Sequence, residues 1–275
     1  MGSLSDYAEN ALLKHLVKEA AYTSVATVYL ALCTADPTDA ATGASMNEVA
    51  DSGSYARTAI TLAAASSRRV TQSGAVAFPA ATGSWGTITH WAIVDTNTHG
   101  AGNVLAHGSF SASIAVVSGN TYTVTDATVY IEITASTGLS NYFANGFLDR
   151  MFRNQALTIA ANYFGLTTAT VSDSNTGSTI TEVSGGSYAR AVINASGGAS
   201  PAWSAVSGNS VSNNQAVSFP TPTGNWGTVV AGVLCDASTA GNLLAYFNNF
   251  VDQAITSPDT SAVSIGAAGL TITQT

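Results

Sequence analysis

The sequence predicts a mainly β protein with two tandem antiparallel β-sandwich domains of jelly-roll type, each preceded by one N-terminal α-helix. Three observations predict this fold class. A set of short motifs occurs twice, in the same order, along the 275 residues. Each copy opens with an apolar pattern of helical period. The rest of each copy consists of short apolar or alternating segments separated by Gly, Ser and Asn, which is typical of strands and turns.

The duplication rests on four motifs that keep their order. They are Leu-Ser-x-Tyr at 4 and 139, Glu-Val with Gly-Ser-Tyr-Ala-Arg at 48 and 182, Phe-Pro with Thr-Gly-x-Trp-Gly-Thr at 78 and 219, and Gly-Asn-x-Leu-Ala at 102 and 241. A period of this size indicates a duplicated domain and not a solenoid. We therefore predict two domains, residues 1–135 and 136–275, joined near 135–138.

The first element of each copy is predicted to be an amphipathic helix. Ser5 can cap the first helix, and acidic residues lie in its first turn while basic residues lie in its last. The second helix has a heavier, more aromatic apolar face. The two faces comprise Leu4, Tyr7, Ala8, Ala11, Leu12 and Leu16 in the first copy, and Tyr142, Phe143, Phe147, Leu148, Met151 and Phe152 in the second.

The segments that follow the first helix are predicted to be strands. They span 27–32, 55–62, 75–78, 87–94, 104–107, 121–124 and 129–133. Short strands at regular spacing with turn signals between them favour an antiparallel sandwich or jelly roll. No helical segments alternate with them, which excludes a parallel α/β sheet.

Composition excludes several classes of protein. The chain is 46% hydrophobic and 9% charged, which excludes intrinsic disorder. Its net charge is −8, and Arg68-Arg69 is its one adjacent basic pair, so we expect no direct nucleic-acid binding. No apolar run is long enough to span a membrane. The first residues lack the pattern of a secretory signal, and none is expected.

No set of residues predicts catalysis, a cofactor or a metal. Cys33 and Cys235 lie at different positions of their copies, and buried free thiols are favoured over a disulfide. His90 and His107 lie on strands that could pair, but the second copy lacks both, which favours structural roles over a metal site. The repeated acids Asp95 and Asp236 each begin a turn. We therefore expect no catalytic residues, no cofactor and no bound metal.

Polar and aromatic residues that recur in both copies are the candidate structural or interface residues. They are Tyr55, Arg57 and Trp85 in the first copy, and Tyr188, Arg190 and Trp226 in the second. Each Arg either pairs with Glu48 or Glu182 of its own copy, which is favoured, or holds a carboxylate of a partner subunit. Each Trp either packs over the end of the sandwich beside a turn-forming Gly, which is favoured, or offers a platform for a sugar.

In this order, the four motifs resemble those of a family of tailed-bacteriophage virion proteins, whose members are described as phage tail fibre proteins or head decoration proteins. The resemblance covers nearly the whole chain, as two tandem copies of the family domain. It implies a non-enzymatic structural part of the phage particle. It leaves open whether that part lies on the head or on the tail.

Two functions follow from this resemblance. The leading hypothesis is a capsid decoration or cement protein that bridges major capsid subunits, because one duplicated chain could grip two equivalent positions. The alternative is a tail fibre, spike or adaptor component involved in host attachment. A secreted carbohydrate-binding module is a third and weaker hypothesis.

The same resemblance sets the expected partners and location. We expect the major capsid protein or other virion proteins as partners, and homo-oligomerisation, without nucleic acid or membrane. The expected location is the virion, assembled in the host cytoplasm.

Overall fold

The structure, a computed structural model, describes residues 2–134, 138–256 and 262–274. It is mainly β with one helix in each repeat, which confirms the predicted fold class. The predicted junction at 135–138 lies outside the described residues, apart from Gly138. No helix in these three ranges has the length and apolar character needed to cross a membrane.

The first repeat begins with a short strand that the sequence did not predict, and its helix follows. Its elements are β1 (Gly2–Leu4), α1 (Asp6–Leu16), β2 (Val28–Cys33), β3 (Thr58–Ile60), β4 (Arg69–Thr71), β5 (Val76–Ala77), β6 (Gly86–Val94), β7 (Val104–Val116), β8 (Thr123–Val124) and β9 (Tyr130–Glu132).

The second repeat begins directly with its helix. Its elements are α2 (Asn141–Arg153), β10 (Tyr163–Thr167), β11 (Ala191–Val192), β12 (Ser210–Ser212), β13 (Val217–Ser218), β14 (Gly227–Val229), β15 (Ala231–Cys235), β16 (Leu243–Phe247), β17 (Gln253–Ile255), β18 (Ser264–Ile265) and β19 (Thr271–Thr273).

A serine caps each helix and ties its start to a strand of the same repeat. The Ser5 hydroxyl accepts a hydrogen bond from the Ala8 amide at 3.3 Å and donates to the Val104 carbonyl at 2.5 Å. Ser140 does the same in the second repeat and donates to the Leu243 carbonyl. Both serines are fully buried, so each cap also satisfies polar groups that water does not reach.

The main sheet of the first repeat has seven strands in the order β3-β2-β6-β7-β1-β9-β4. Strand β7 runs on to Val116, well past the predicted end at His107, because it pairs along the whole of β6. The register shifts between Ile88 and His90, and such a bulge lets a long strand bend. Strands β1 and β4 were not predicted, and β1 pairs with β9 in parallel through Gly2.

The second repeat follows the same plan with shorter ladders. One sheet has the order β11-β10-β15-β16, and the pairs β12-β19, β13-β18 and β14-β17 are two-stranded. The long strand β7 of the first repeat corresponds here to two separate strands, β16 and β17. A single bridge between Leu139 and Ala245 takes the place of the pairing between β1 and β7.

By spatial contacts the chain divides into two compact units, which we call the first and the second unit. The first unit contains described residues 2–9, 23–134 and 145–156, and the second contains the remainder. Each unit therefore includes a helical segment of the other repeat. The predicted domains 1–135 and 136–275 follow the sequence repeat, and their limits stay a prediction.

Within the first unit, the later part of α2 is held by side chains of its outer face. The Asn145 side-chain oxygen accepts a hydrogen bond from the Arg68 amide at 2.7 Å, and Asp149 accepts one from the Ala65 amide at 2.8 Å. Arg153 donates to the Leu62 carbonyl at 3.2 Å and pairs with Asp149. These bonds fix the helical segment against the loop and strands around β4.

Within the second unit, the later part of α1, from Asn10, and the residues after it are held in a corresponding way. The side chains of Asn10 and Asn209 are bonded at 2.6 Å, and the Asn162 side chain donates to the carbonyl of Leu16 at 3.1 Å. The Glu19 carboxylate accepts a hydrogen bond from the Val206 amide at 2.8 Å. The second unit thus depends on residues encoded in the first repeat.

Each unit has an apolar core in which one cysteine lies. Cys33 packs with Ala31, Ala92 and other residues of the first unit, and Cys235 packs with Val233 and others of the second. Both thiols are free and buried. Burial raises the pKa of Cys235 to about 11, so the thiol stays protonated and unreactive at neutral pH.

Replacing Phe147 by Ala tests the assignment of the later part of α2, from Asn145, to the first unit. Phe147 is fully buried, and loss of its ring costs about 3–5 kcal/mol. We expect amide hydrogen exchange, measured by mass spectrometry on the full chain, to rise more in β2, β3 and β4 than in β12 and β15.

Phe219→Ala is the matched control, because Phe219 is buried within the second unit. It should raise exchange chiefly in β12 and β15. If Phe147→Ala accelerates exchange mainly in these second-repeat strands, the assignment of α2 is wrong.

Candidate functional site

The side chain of the repeated Arg57 is fully buried, and each of its three guanidinium nitrogens has a partner within the first unit. Its Nε and one terminal nitrogen donate to the two carboxylate oxygens of Glu48 at 2.8 and 2.7 Å. Its terminal nitrogens also donate to the carbonyls of Gly43, Thr96 and Ala101. A bidentate pair of this kind is planar and directional, so it fixes Glu48 and the three loop carbonyls in one arrangement.

Arg190 repeats this arrangement in the second unit. It donates to both oxygens of Glu182 at 2.8 and 2.7 Å. Its other donors go to the carbonyls of Gly177, Ala237 and Ala240. The side chains of Arg57 and Arg190 are 0% and 1% exposed, so neither presents donors to a partner subunit.

The repeated tyrosine completes the network on the other side of the carboxylate. The Tyr55 hydroxyl donates to Glu48 at 2.9 Å and accepts a hydrogen bond from the Leu32 amide of β2 at 2.9 Å. Tyr188 bonds to Glu182 and to the Leu166 amide of β10 at 2.8 Å each. Burial, reinforced by the nearby carboxylate, raises the pKa of both phenols well above the usual range, so the hydroxyls remain donors.

The repeated tryptophans are buried and lie against the tyrosines. Trp85 and Trp226 are 4% and 3% exposed. Their indole nitrogens donate to the carbonyls of Gly53 at 2.8 Å and Gly186 at 2.9 Å. The Trp85 ring contacts Tyr55 edge-on, with 5.4 Å between the ring centroids. A sugar platform needs an open ring face, and these rings do not offer one.

A repeated aspartate closes the loop that supplies two of the arginine's acceptors. Both oxygens of Asp95 accept hydrogen bonds from Asn103, from its amide at 2.8 Å and its side chain at 2.7 Å. Gly102 has a φ of +80°, and a Cβ there would lie 2.3 Å from Asp95. The second unit has the same pair, Asp236 and Asn242. The repeated acid therefore shapes a loop.

The histidines of the first repeat have separate partners. His90 Nδ1 lies 2.8 Å from the Thr89 hydroxyl, and His107 Nε2 lies 2.8 Å from Asp39. Across the three described ranges, no group of three or more His, Cys, Asp or Glu side chains is arranged to hold a metal ion.

The buried carboxylate of Glu9 is present in the first unit and has no counterpart in the second repeat. Glu9 of α1 is 5% exposed. Its burial, together with the charges of Asp39 and Asp6, raises the pKa of Glu9 to about 7. In the second repeat Ala144 stands at the matching position, four residues after the capping serine. Because Ala144 has no ionisable group, the second repeat has no counterpart at this position to the raised pKa of Glu9.

Tyr55, Arg57 and Trp85 thus lie in one network of the first unit, and Tyr188, Arg190 and Trp226 in its copy in the second. Sequence reasoning missed the loop carbonyls that these arginines bind, since a backbone acceptor has no residue signature. It also missed Glu9, whose burial follows from tertiary packing and not from its helical position.

Comparison with known proteins finds one family. A family model described as Gp80, podophage GP4 fiber I protein gp80, matches the chain over residues 3–132 and again over 138–272. One match lies in each repeat, so the family domain is present as two tandem copies. A search of curated proteins finds no match.

Replacing Arg57 by Met is expected to destabilise the protein strongly. The variant leaves the carboxylate of Glu48, 4% exposed, buried without its arginine, which costs about 3–5 kcal/mol. Arg190→Met should cost less, because Glu182 is 20% exposed and water can solvate it. Urea unfolding measures both free energies.

Arg69→Met is the control for loss of an arginine at the surface. Arg69 and its partner Glu132 are 46% and 31% exposed, and such pairs contribute about 0–1 kcal/mol. A loss for Arg57→Met no larger than that for Arg69→Met would contradict the role of the buried pair.

The stability of the protein is expected to fall as pH rises from about 4.5 to 7. Over this window native Glu9, with its pKa raised to about 7, keeps a proton that the unfolded chain has lost. The unfolded state therefore binds fewer protons, and the free energy of unfolding decreases with rising pH. Thermal unfolding of wild type and Glu9→Gln across this range measures the effect.

Glu9→Gln stays neutral and should have a flatter pH dependence than wild type. Asp51→Asn, in an exposed loop, is the control and should leave the slope unchanged. Parallel profiles for wild type and Glu9→Gln would show that Glu9 does not titrate in this window.

Proposed function

The chain belongs to the podophage fibre I family, and from this premise we propose that it is a non-enzymatic structural component of the phage tail, in a fibre, spike or adaptor that takes part in host attachment. The observation that carries this proposal is the match of a fibre family model to both repeats. It favours the tail over the capsid decoration that the sequence alone put first.

The geometry of the repeated network supports a structural role. All guanidinium N–H groups of Arg57 and Arg190 donate to neighbouring carbonyls and to a carboxylate of the same unit. The hydroxyls of Tyr55 and Tyr188 are saturated in the same way. These residues hold loops in shape and leave no activated group for chemistry.

The partners that fit this role are other virion proteins and further copies of the chain. A low charge density leaves a surface rich in Ser, Thr, Asn and Gly, which is suited to packing against other proteins with little electrostatic repulsion. A contact surface that both repeats share is presented twice by one chain, which raises the effective concentration of the second contact once the first has formed. Assembly would take place in the host cytoplasm.

Immunogold electron microscopy of virions tests the proposal. Antibodies raised against the purified chain are expected to label the tail, while antibodies against the major capsid protein label the head of the same particles. Gold over the head would identify a capsid decoration protein and overturn the proposal. Absence of the chain from purified virions by mass spectrometry would also overturn it.

A further inference from the structure

An open groove lies in the second unit next to β14, β17 and β18. It has a volume of about 340 Å³, within the range of small ligand sites. Its lining is mixed: Phe250, Val251, Val263 and Ile265 are apolar, while Asn249, Gln253 and Ser264 are polar. Val251 is 91% exposed, which is unusual for a large apolar side chain.

The register of the ladders shows which residue of the first repeat corresponds to Val263. The amide of Phe219 donates to the carbonyl of Val263 at 2.8 Å, and the amide of Phe78 donates to that of Tyr122 at 2.9 Å. Phe78 and Phe219 stand in the same repeated motif. Val263 therefore occupies the position that Tyr122 has in the first repeat.

A second position follows from the neighbouring strands. The amides of Trp85 and Trp226 donate to the carbonyls of Val116 and Ile255, so these two acceptors correspond. Counting back from each along the chain places Asn249 at the position of Phe110. Two aromatic residues of the first repeat are thus replaced by smaller residues at the groove.

In the first unit these two aromatic rings pack together. The Tyr122 ring lies 6.2 Å from that of Phe110, edge-on, and 6.2 Å from that of Phe78, between centroids. Val124, two residues after Tyr122, is 2% exposed, whereas its counterpart Ile265 is only partly buried. The groove of the second unit therefore lacks the two rings of Phe110 and Tyr122. It has one other ring, that of Phe250, at the position of Ser111 in the first repeat.

We propose that the groove of the second unit accepts an aromatic side chain of a partner polypeptide, in the place that Phe110 and Tyr122 fill in the first unit. The argument for this occupant is that the other copy of the same fold packs two half-buried rings against each other at these two positions. Aromatic side chains seated in apolar pockets are also the residues that contribute most to protein interfaces. The proposed function enters only in that the partner would be another virion protein.

The test is a titration of the full chain with p-cresol, the side-chain analogue of tyrosine, and with N-acetyl-tyrosinamide, followed by NMR. For a ligand of this size we expect saturable shifts with a dissociation constant of about 1 mM for both probes. The shifts should include Phe250 and Ile265, which line the groove.

The double variant Asn249→Phe/Val263→Tyr introduces the residues of the first repeat and should weaken binding at least about tenfold. The reverse variant, Phe110→Asn/Tyr122→Val, should create a second site in the first unit. Circular dichroism and thermal unfolding establish whether each variant folds. If one variant does not fold, the other still tests the proposal.

Three results would overturn the proposal. One is the lack of saturable shifts in the wild type at about 20 mM probe. Another is equal binding by wild type and the Asn249→Phe/Val263→Tyr variant. The third is binding of p-cresol with exclusion of N-acetyl-tyrosinamide, which would indicate a site for small aromatic molecules and not for a polypeptide. Immunogold labelling over the head would overturn the proposed tail location and leave these titrations unchanged.

Discussion

The two units depend on one interaction, the buried ion pair between arginine and glutamate. In each unit a guanidinium binds both oxygens of a carboxylate and three carbonyls from two loops. An ion pair that is taken out of water contributes stability only when its remaining donors and acceptors are satisfied, and here they are. The pair also restricts the loops to one shape, because any other would leave a buried charge without a partner.

The positions of the aromatic residues next to this ion pair also depend on it. Tyr55 reaches Glu48 with its hydroxyl and lies edge-on to Trp85, while Trp85 bonds to the backbone at Gly53. Polar and apolar contacts therefore fix these side chains in the same arrangement. A satisfied polar network of this kind specifies one packing of the core, which apolar contacts alone do less well. Duplication has kept this arrangement in both units and allowed the surface above it to diverge, as at Tyr122 and Val263.

Much of the fold could be predicted from the sequence, because helical period, capping serines and alternating strands are local signals. Glu48, which pairs with Arg57, and Trp85, which contacts Tyr55, both lie in repeated motifs. The candidate residues could therefore be found as a set. The extension of β7 to Val116 could not be predicted, since Gly108, Ala112 and the serines between them interrupt the strand pattern and the extension depends on pairing with β6. The burial of Glu9 and the groove beside Phe250 also follow from tertiary packing. The sequence indicates the groove only when the two copies are compared position by position, as with Phe110 and Asn249.

The composition of the two units has a consequence for synthesis on the ribosome. The first unit includes residues 145–156 of the second repeat, so a nascent chain that has emerged only as far as the end of the first repeat cannot yet complete it. Domains usually fold in order as they are made, but here the first unit must wait for α2. Until then, the surface of the first unit that α2 covers stays open to chaperones and to neighbouring nascent chains on the same messenger RNA.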